Sequence, residues 1–167
     1  MRSLFLALSL LVSSTAFAQP SYTFKWDVAS KFPKPLGWVS DFEKILSPAS
    51  INTLEKMIIH HEKKMGNEIA IVTVDSIGSY PDFFEYSVSL FNSWSIGKQD
   101  EDNGVLILFS SKMKRVRIAT GLLLETKLTD DFCKDVIDKM MVPLFKKNEF
   151  AEGLQKALEK IIRQLEK

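Results

Sequence analysis

Apolar residues recur along this chain at two different periods, and each change of period marks a new element. Ile51, Leu54, Ile58, His61 and Met65 return every three or four residues. That spacing predicts a helix, with Ser47 as its cap, Pro48 in its first position and Gly66 at its end. Glu68 to Asp75, EIAIVTVD, is β-branched and almost wholly apolar, which predicts a strand buried on both faces. Pro81 and Asp82 begin a second helix, with Phe84, Val88, Phe91 and Trp94 or Ser95 forming its buried stripe and Phe83 and Tyr86 falling off it. Gly104 to Ser110 is a second buried strand. A turn at Lys112-Met113-Lys114 leads into Arg115 to Thr120, where Val116 and Ile118 face one way and Arg115 and Arg117 the other. Thr129 or Asp130 caps a third helix carrying Phe132, Val136, Ile137 and Met140, kinked or ended by Pro143. Asn148 caps the last helix, Phe150 to about Leu165, with Leu154, Leu158, Ile161 and Leu165 on one side.

The strand from Glu68, its following helix and the strand from Gly104 form a strand–helix–strand unit, so the two strands are expected to be parallel. The strand from Arg115 follows a tight turn and is expected to be antiparallel to its predecessor. The expected fold class is therefore α/β: a three-layer α/β/α sandwich in which helices flank a small mixed sheet.

The first 18 residues carry a different signal. Arg2 precedes an apolar run from Leu4 to Val12, and Ala16-Phe17-Ala18 has the small-x-small form of a cleavage site. Residues 1–18 are thus expected to be a signal peptide cut after Ala18. Residues 19–36, with Pro20, Pro33 and Pro35, read as an irregular arm, and residues 37–167 as a single domain. The apolar run is shorter than the roughly 20 residues of a membrane helix, so the mature chain is expected to lack a transmembrane anchor, to be a periplasmic or secreted monomer, and to have an envelope protein as its partner if it has one. Removing Arg2 leaves basic and acidic residues equal in number, which gives none of the basic field that nucleic-acid binding requires. Cys133 is the single cysteine and sits in a helical pattern, where packing is its expected role. His60 and His61 are adjacent on the first helix, His61 on its apolar stripe.

The chemistry most worth testing lies between Trp94 and Ser110. Asp100, Glu101, Asp102 and Asn103 stand in a row directly before the strand that Gly104 opens. The hairpin brings the segment after Gly121 to the same end of the sheet, so Asp100, Asp102, Glu125 and Asp130 could share one rim. Two carboxylates ~5 Å apart repel by roughly 3 kcal/mol at an effective dielectric near 20. Such a group persists by spreading into water, pairing with cations, taking up protons or holding a metal. All-oxygen donors suit Ca²⁺, with Mg²⁺ as the alternative. The spacing is not that of an EF-hand, because glycine falls at the fifth position from Asp100 and Ser111 replaces the closing glutamate.

Several stretches together resemble the TPM-domain family: GWVSDFEKILSP (37–48), EIAIVTVDSI (68–77), LFNSWSIGKQDEDNGVLILFS (90–110), RVRIATGLLLE (115–125), LTDDF (128–132) and VPLFKKNEFAEGL (142–154). That family includes thylakoid-lumen proteins of photosystem II repair, a receptor modulator and bacterial exported proteins. The resemblance implies a Rossmann-like α/β/α fold and places the family's acidic positions at Asp41, Asp102 with Asn103, Glu125 and Asp130. It also implies calcium binding and a weak acid-phosphatase activity, both attributed to some members. Where relatives often read G-x-G-x-E, this chain has Leu123 in place of the second glycine. Three functions are consistent with these residues: an exported accessory domain that binds Ca²⁺, a metal-assisted phosphatase using Asp102 and Arg117, and a protein-interaction module without a ligand. No C-x₅-R, D-x-D-x-T or R-H-G motif supports the second.

Overall fold

A computed structural model describes residues 32–98 and 101–167. Four strands form one sheet: β1 (Val39–Asp41), β2 (Glu68–Thr73), β3 (Gly104–Ser110) and β4 (Arg115–Thr120). They lie side by side in chain order, with β1, β2 and β3 parallel and β4 antiparallel to β3. The mixed sheet follows from the expected crossover and hairpin. The expected strand from Glu68 ends at Thr73, two residues early, and β1 was not expected from periodicity because a three-residue strand is too short to show one.

α1 (Pro48–Met65) begins as the sequence predicts. The Ser47 hydroxyl accepts from the Ser50 amide at 3.1 Å, and Gly66 ends the helix with left-handed φ of 81°. α2 (Phe83–Ser93) is capped by Asp82, whose carboxylate accepts from the Glu85 amide at 2.8 Å. α3 (Asp130–Val136) is capped by Thr129 and runs through a π-turn, Ile137–Met141, into the short α4 (Val142–Phe145). The π-turn lies just ahead of Pro143, which has no N–H to donate and whose ring would press on the preceding turn. α5 spans Phe150–Leu165. Its expected cap is corrected: Asn148 has φ 62° and donates to the Phe145 carbonyl, so it terminates α4. Asparagine tolerates that left-handed conformation better than most residues. Glu149 stands at the start of α5 and makes no side-chain cap.

Alternation along the strands divides the core in two. Ile69, Ile71, Val105, Ile107 and Ile118 face α1, α3 and α5, where Leu54, Ile58, Val136, Leu154, Leu158, Ile161 and Leu165 pack. Ala70, Val72, Leu106 and Leu108 face α2, meeting Tyr86, Leu90 and Trp94, with Phe32 beside Tyr80 and Tyr86. This is the expected three-layer α/β/α arrangement. Each large aliphatic side chain buried in it contributes about 1.5–3 kcal/mol.

The phase expected for α2 is corrected. Tyr86, Ser87 and Leu90 are its buried residues, whereas Phe84 is 54% exposed and Val88 is exposed as well. Ser87 is tolerated in the interior because its hydroxyl donates to the Phe84 carbonyl at 2.7 Å. Phe84 lies instead beneath the Arg117 guanidinium, whose central carbon is 4.1 Å from the ring centroid.

His61 packs on the inner side of α1 and is 1% exposed. Neither ring nitrogen has a hydrogen-bond partner. Glu166, held by Lys64 at 2.9 Å, lies 3.7 Å from Nδ1, which is a charge contact rather than a hydrogen bond. Burial lowers the His61 pKa from 6.5; Asn67 and Glu166 oppose that and are outweighed, and Lys64 adds to it. The unfolded chain therefore binds this proton at higher pH than the native one does. Stability from this site is full above 6.5 and is lost as pH falls through 6.5 toward the folded value. The melting temperature should drop as pH falls below 6.5, and His61→Leu should flatten that slope in calorimetric scans.

Candidate functional site

The amino end of the sheet is assembled around Asn103. Its side chain is buried, and its Oδ1 accepts from the Lys98 amide at 2.8 Å. Its Nδ2 donates to the Gly66 carbonyl at 3.1 Å and to Glu101 Oε2 at 2.6 Å. One amide thus joins the end of α1, the segment after α2 and the acidic loop. Glu68 adds a second tie, accepting from the Gly97 amide at 2.9 Å while its own amide donates to the Asn103 carbonyl at 3.3 Å.

The chains here approach too closely for side chains. A Cβ on Gly104 would stand 2.2 Å from the Ile96 carbonyl oxygen, and one on Gly121 would stand 2.0 Å from that of Asp102. The Gly121 amide donates to the Gly104 carbonyl at 2.9 Å, and the Leu123 amide to the Asp102 carbonyl at 3.3 Å. These contacts press the 3-10 turn Leu122–Leu124 against the acidic loop. Leu123 fits this turn: its side chain is 60% exposed, and 3-10 backbone is open to any residue.

The expected site residues are distributed as follows. Asp102 is exposed, with a left-handed φ of 46°, and Glu125, just past the 3-10 turn, is exposed too. Their two segments are joined through the Asp102–Leu123 bond. Asp130 opens α3 and is exposed; its charge acts on Arg117 and Cys133, which ties it to the middle of β4 more than to the loop. Asn103 spends its amide on the protein itself. Asp100 lies outside the described residues. Asp41 belongs to the opposite end of the sheet: it pairs with Thr73, which pairs with Phe109, five residues beyond Gly104. At about 3.3 Å per residue that is a separation of about 17 Å. Its carboxylate is buried and accepts from the Thr73 hydroxyl at 2.5 Å and the Leu46 amide at 2.8 Å. Among the described residues, no three His, Cys, Asp or Glu side chains group closely enough to hold a metal ion.

Glu43 is a participant the sequence reading passed over. It accepts from the Ser111 amide at 2.9 Å and hydroxyl at 3.0 Å, and from the Lys112 amide at 3.3 Å, fastening the β3–β4 turn to the end of β1. Its signal was present in Asp41-Phe42-Glu43, where alternate residues leave a strand on the same side. Cys133 is buried, and burial pushes its thiol up to about 11, which leaves little thiolate at neutral pH.

The model of the TPM domain matches residues 39–164, and the chain belongs to that family. Its fold is similar to the N-terminal domain of a protein from P. gingivalis, with 29% identity, a TM-score of 0.70 and coverage of 77% of this chain and 82% of that one. It is also similar to the BA42 protein of the psychrophilic bacterium Bizionia argentinensis, at 23% identity and a TM-score of 0.64 over 74% and 83% of the two chains. The N-terminal domain of the cg2496 protein of Corynebacterium glutamicum shares the fold at 15% identity and a TM-score of 0.57, over 82% and 86%. No curated protein matches this sequence.

The Asn103 amide is the contact on which the loop geometry rests. Asn103→Ala should cost about 1–3 kcal/mol, because the Lys98 amide and the Gly66 carbonyl lose their partner in a buried place. Urea unfolding with an unchanged slope is the measurement.

Proposed function

We propose that this TPM domain is an exported accessory domain of the cell envelope that binds a divalent cation, Ca²⁺ in preference to Mg²⁺, with Asp102 and Glu125 as its acidic donors. The observation that carries the reading is the Asp102–Leu123 bond, which holds two exposed carboxylate-bearing segments together. Among the described residues, neither carboxylate is paired with Lys or Arg. Exposed carboxylate oxygens without a cationic side-chain partner are the chemistry a hard cation takes, and Ca²⁺ accepts irregular geometry more readily than Mg²⁺. Asp41 and Asn103 do not fit as donors to the same ion. The first stands at the other end of the sheet with both carboxylate oxygens bonded, and the second is bonded through both ends of its amide.

Phosphoryl transfer draws less support from the same residues. Arg117 is stacked on Phe84 and lies three residues along β4 from Thr120, about 10 Å from the acidic loop's end of the sheet. The Cys133 thiol is buried and protonated.

Calcium at a hundredfold excess over its Kd should stabilise the fold by about 2.7 kcal/mol. The expected result is a rise in melting temperature that a chelator reverses and that Asp102→Asn with Glu125→Gln abolishes. A melting curve indifferent to millimolar Ca²⁺ would overturn the assignment.

Export rests on the arrangement of Arg2, Leu4 to Val12 and Ala16 to Ala18. Among the described residues no helix is long and apolar enough to cross a membrane. Intact mass of the protein recovered from a bacterial periplasm should place its first residue at Gln19; a chain retaining Met1 to Ala18 would refute export by this route.

A further inference from the structure

Of the sheet's two outer edges, β4 is the longer, and the hydrogen-bond phase along it can be fixed. Gly121 donates to the Gly104 carbonyl, so in the antiparallel register Ala119, Arg117 and Arg115 bond back to Leu106, Leu108 and Ser110. Val116, Ile118 and Thr120 therefore direct their N–H and C=O groups away from β3. No described backbone or side chain bonds to these groups. Unpaired main chain of this length is a template for another strand.

The side chains along this edge are cationic. Arg115 is exposed, and Arg117 stands on the same face two residues on. Arg117 is held over Phe84, its Nε is buried without a partner, and no carboxylate lies within ion-pair distance among the described residues. Asp130 and Asp82 act on it through their fields alone, and burial lowers its pKa more than they raise it. An arginine stacked on an exposed aromatic ring is the kind of residue pair that dominates binding energy at protein interfaces.

We propose that β4 accepts an added strand from a partner protein: an extended segment with acidic residues at alternate positions. Its main chain bonds to Val116, Ile118 and Thr120, and its carboxylates meet Arg115 and Arg117. Charge selects this occupant. A second copy of this chain would bring the Arg115 and Arg117 side chains of both copies onto one face, where like charges oppose pairing. An acidic strand converts the same charges into attraction and draws on the strand-addition mode of peptide recognition. The proposal is independent of the cation site, which lies in other segments.

The test uses the protein in chelator with a blocked synthetic heptapeptide alternating Glu and Val. The expected result is saturable binding by calorimetry, with slowed hydrogen exchange at the amides of Val116, Ile118 and Thr120. Arg115→Gln with Arg117→Gln should weaken binding about tenfold. A peptide N-methylated at alternate residues should not bind, a readout that holds even where the double variant folds poorly. The proposal is overturned by absence of binding at millimolar peptide or by protection of other amides. It is equally overturned by a Lys-for-Glu peptide that binds as well, by a dimer in sedimentation that protects this edge, or by anionic vesicles that protect the same amides.

Discussion

The site depends on main chain approaching main chain more closely than any side chain permits. Ile96 lies over Gly104, and Asp102 lies over Gly121, at distances where a methyl group would collide with a carbonyl oxygen. With those two positions bare, three separate segments share one end of the sheet, and Asn103 can serve all of them with a single amide. The acidic loop is thereby anchored at its end, immediately before a strand that is buried on both faces. Anchoring at this point places Glu101 and Asp102 beside the 3-10 turn that leads to Glu125, at the electrostatic cost that like charges always carry.

The opposite end of the sheet uses acidic residues differently. Asp41 and Glu43 satisfy amides and hydroxyls that the ends of β1, β2 and β3 leave open, so their charge goes into holding the protein together. The two ends show that the presence of a carboxylate says little until its partners are known. One end offers free oxygen donors and the other has spent them.

Much of the architecture could be read in the sequence because burial on both faces leaves continuous apolar runs, as in β2 and β3, and because caps such as Ser47 and Gly66 obey local chemistry. α2 was harder. It carries Phe83, Phe84, Tyr86, Phe91 and Trp94, so aromatic residues lie on nearly every side and spacing cannot select the buried one. Phe84 is covered by Arg117, a residue of β4 that lies far along the chain from α2. Asn148 was misassigned because a residue suited to helix starts is also one of the few that tolerates the left-handed turn ending a helix. At the site, the hairpin correctly brought Gly121 to Gly104, yet the position of Asp41 depended on β1, whose three residues leave no period to detect.

The strands lie across the sheet in the same order as they occur along the chain. No later strand has to be inserted between two that have already paired, so the sheet can grow from either side by simple addition. Each new strand pairs with the one completed before it, so every closure spans a single helical crossover or one turn. Closure entropy grows only slowly with length, and no pairing has to wait for residues far downstream.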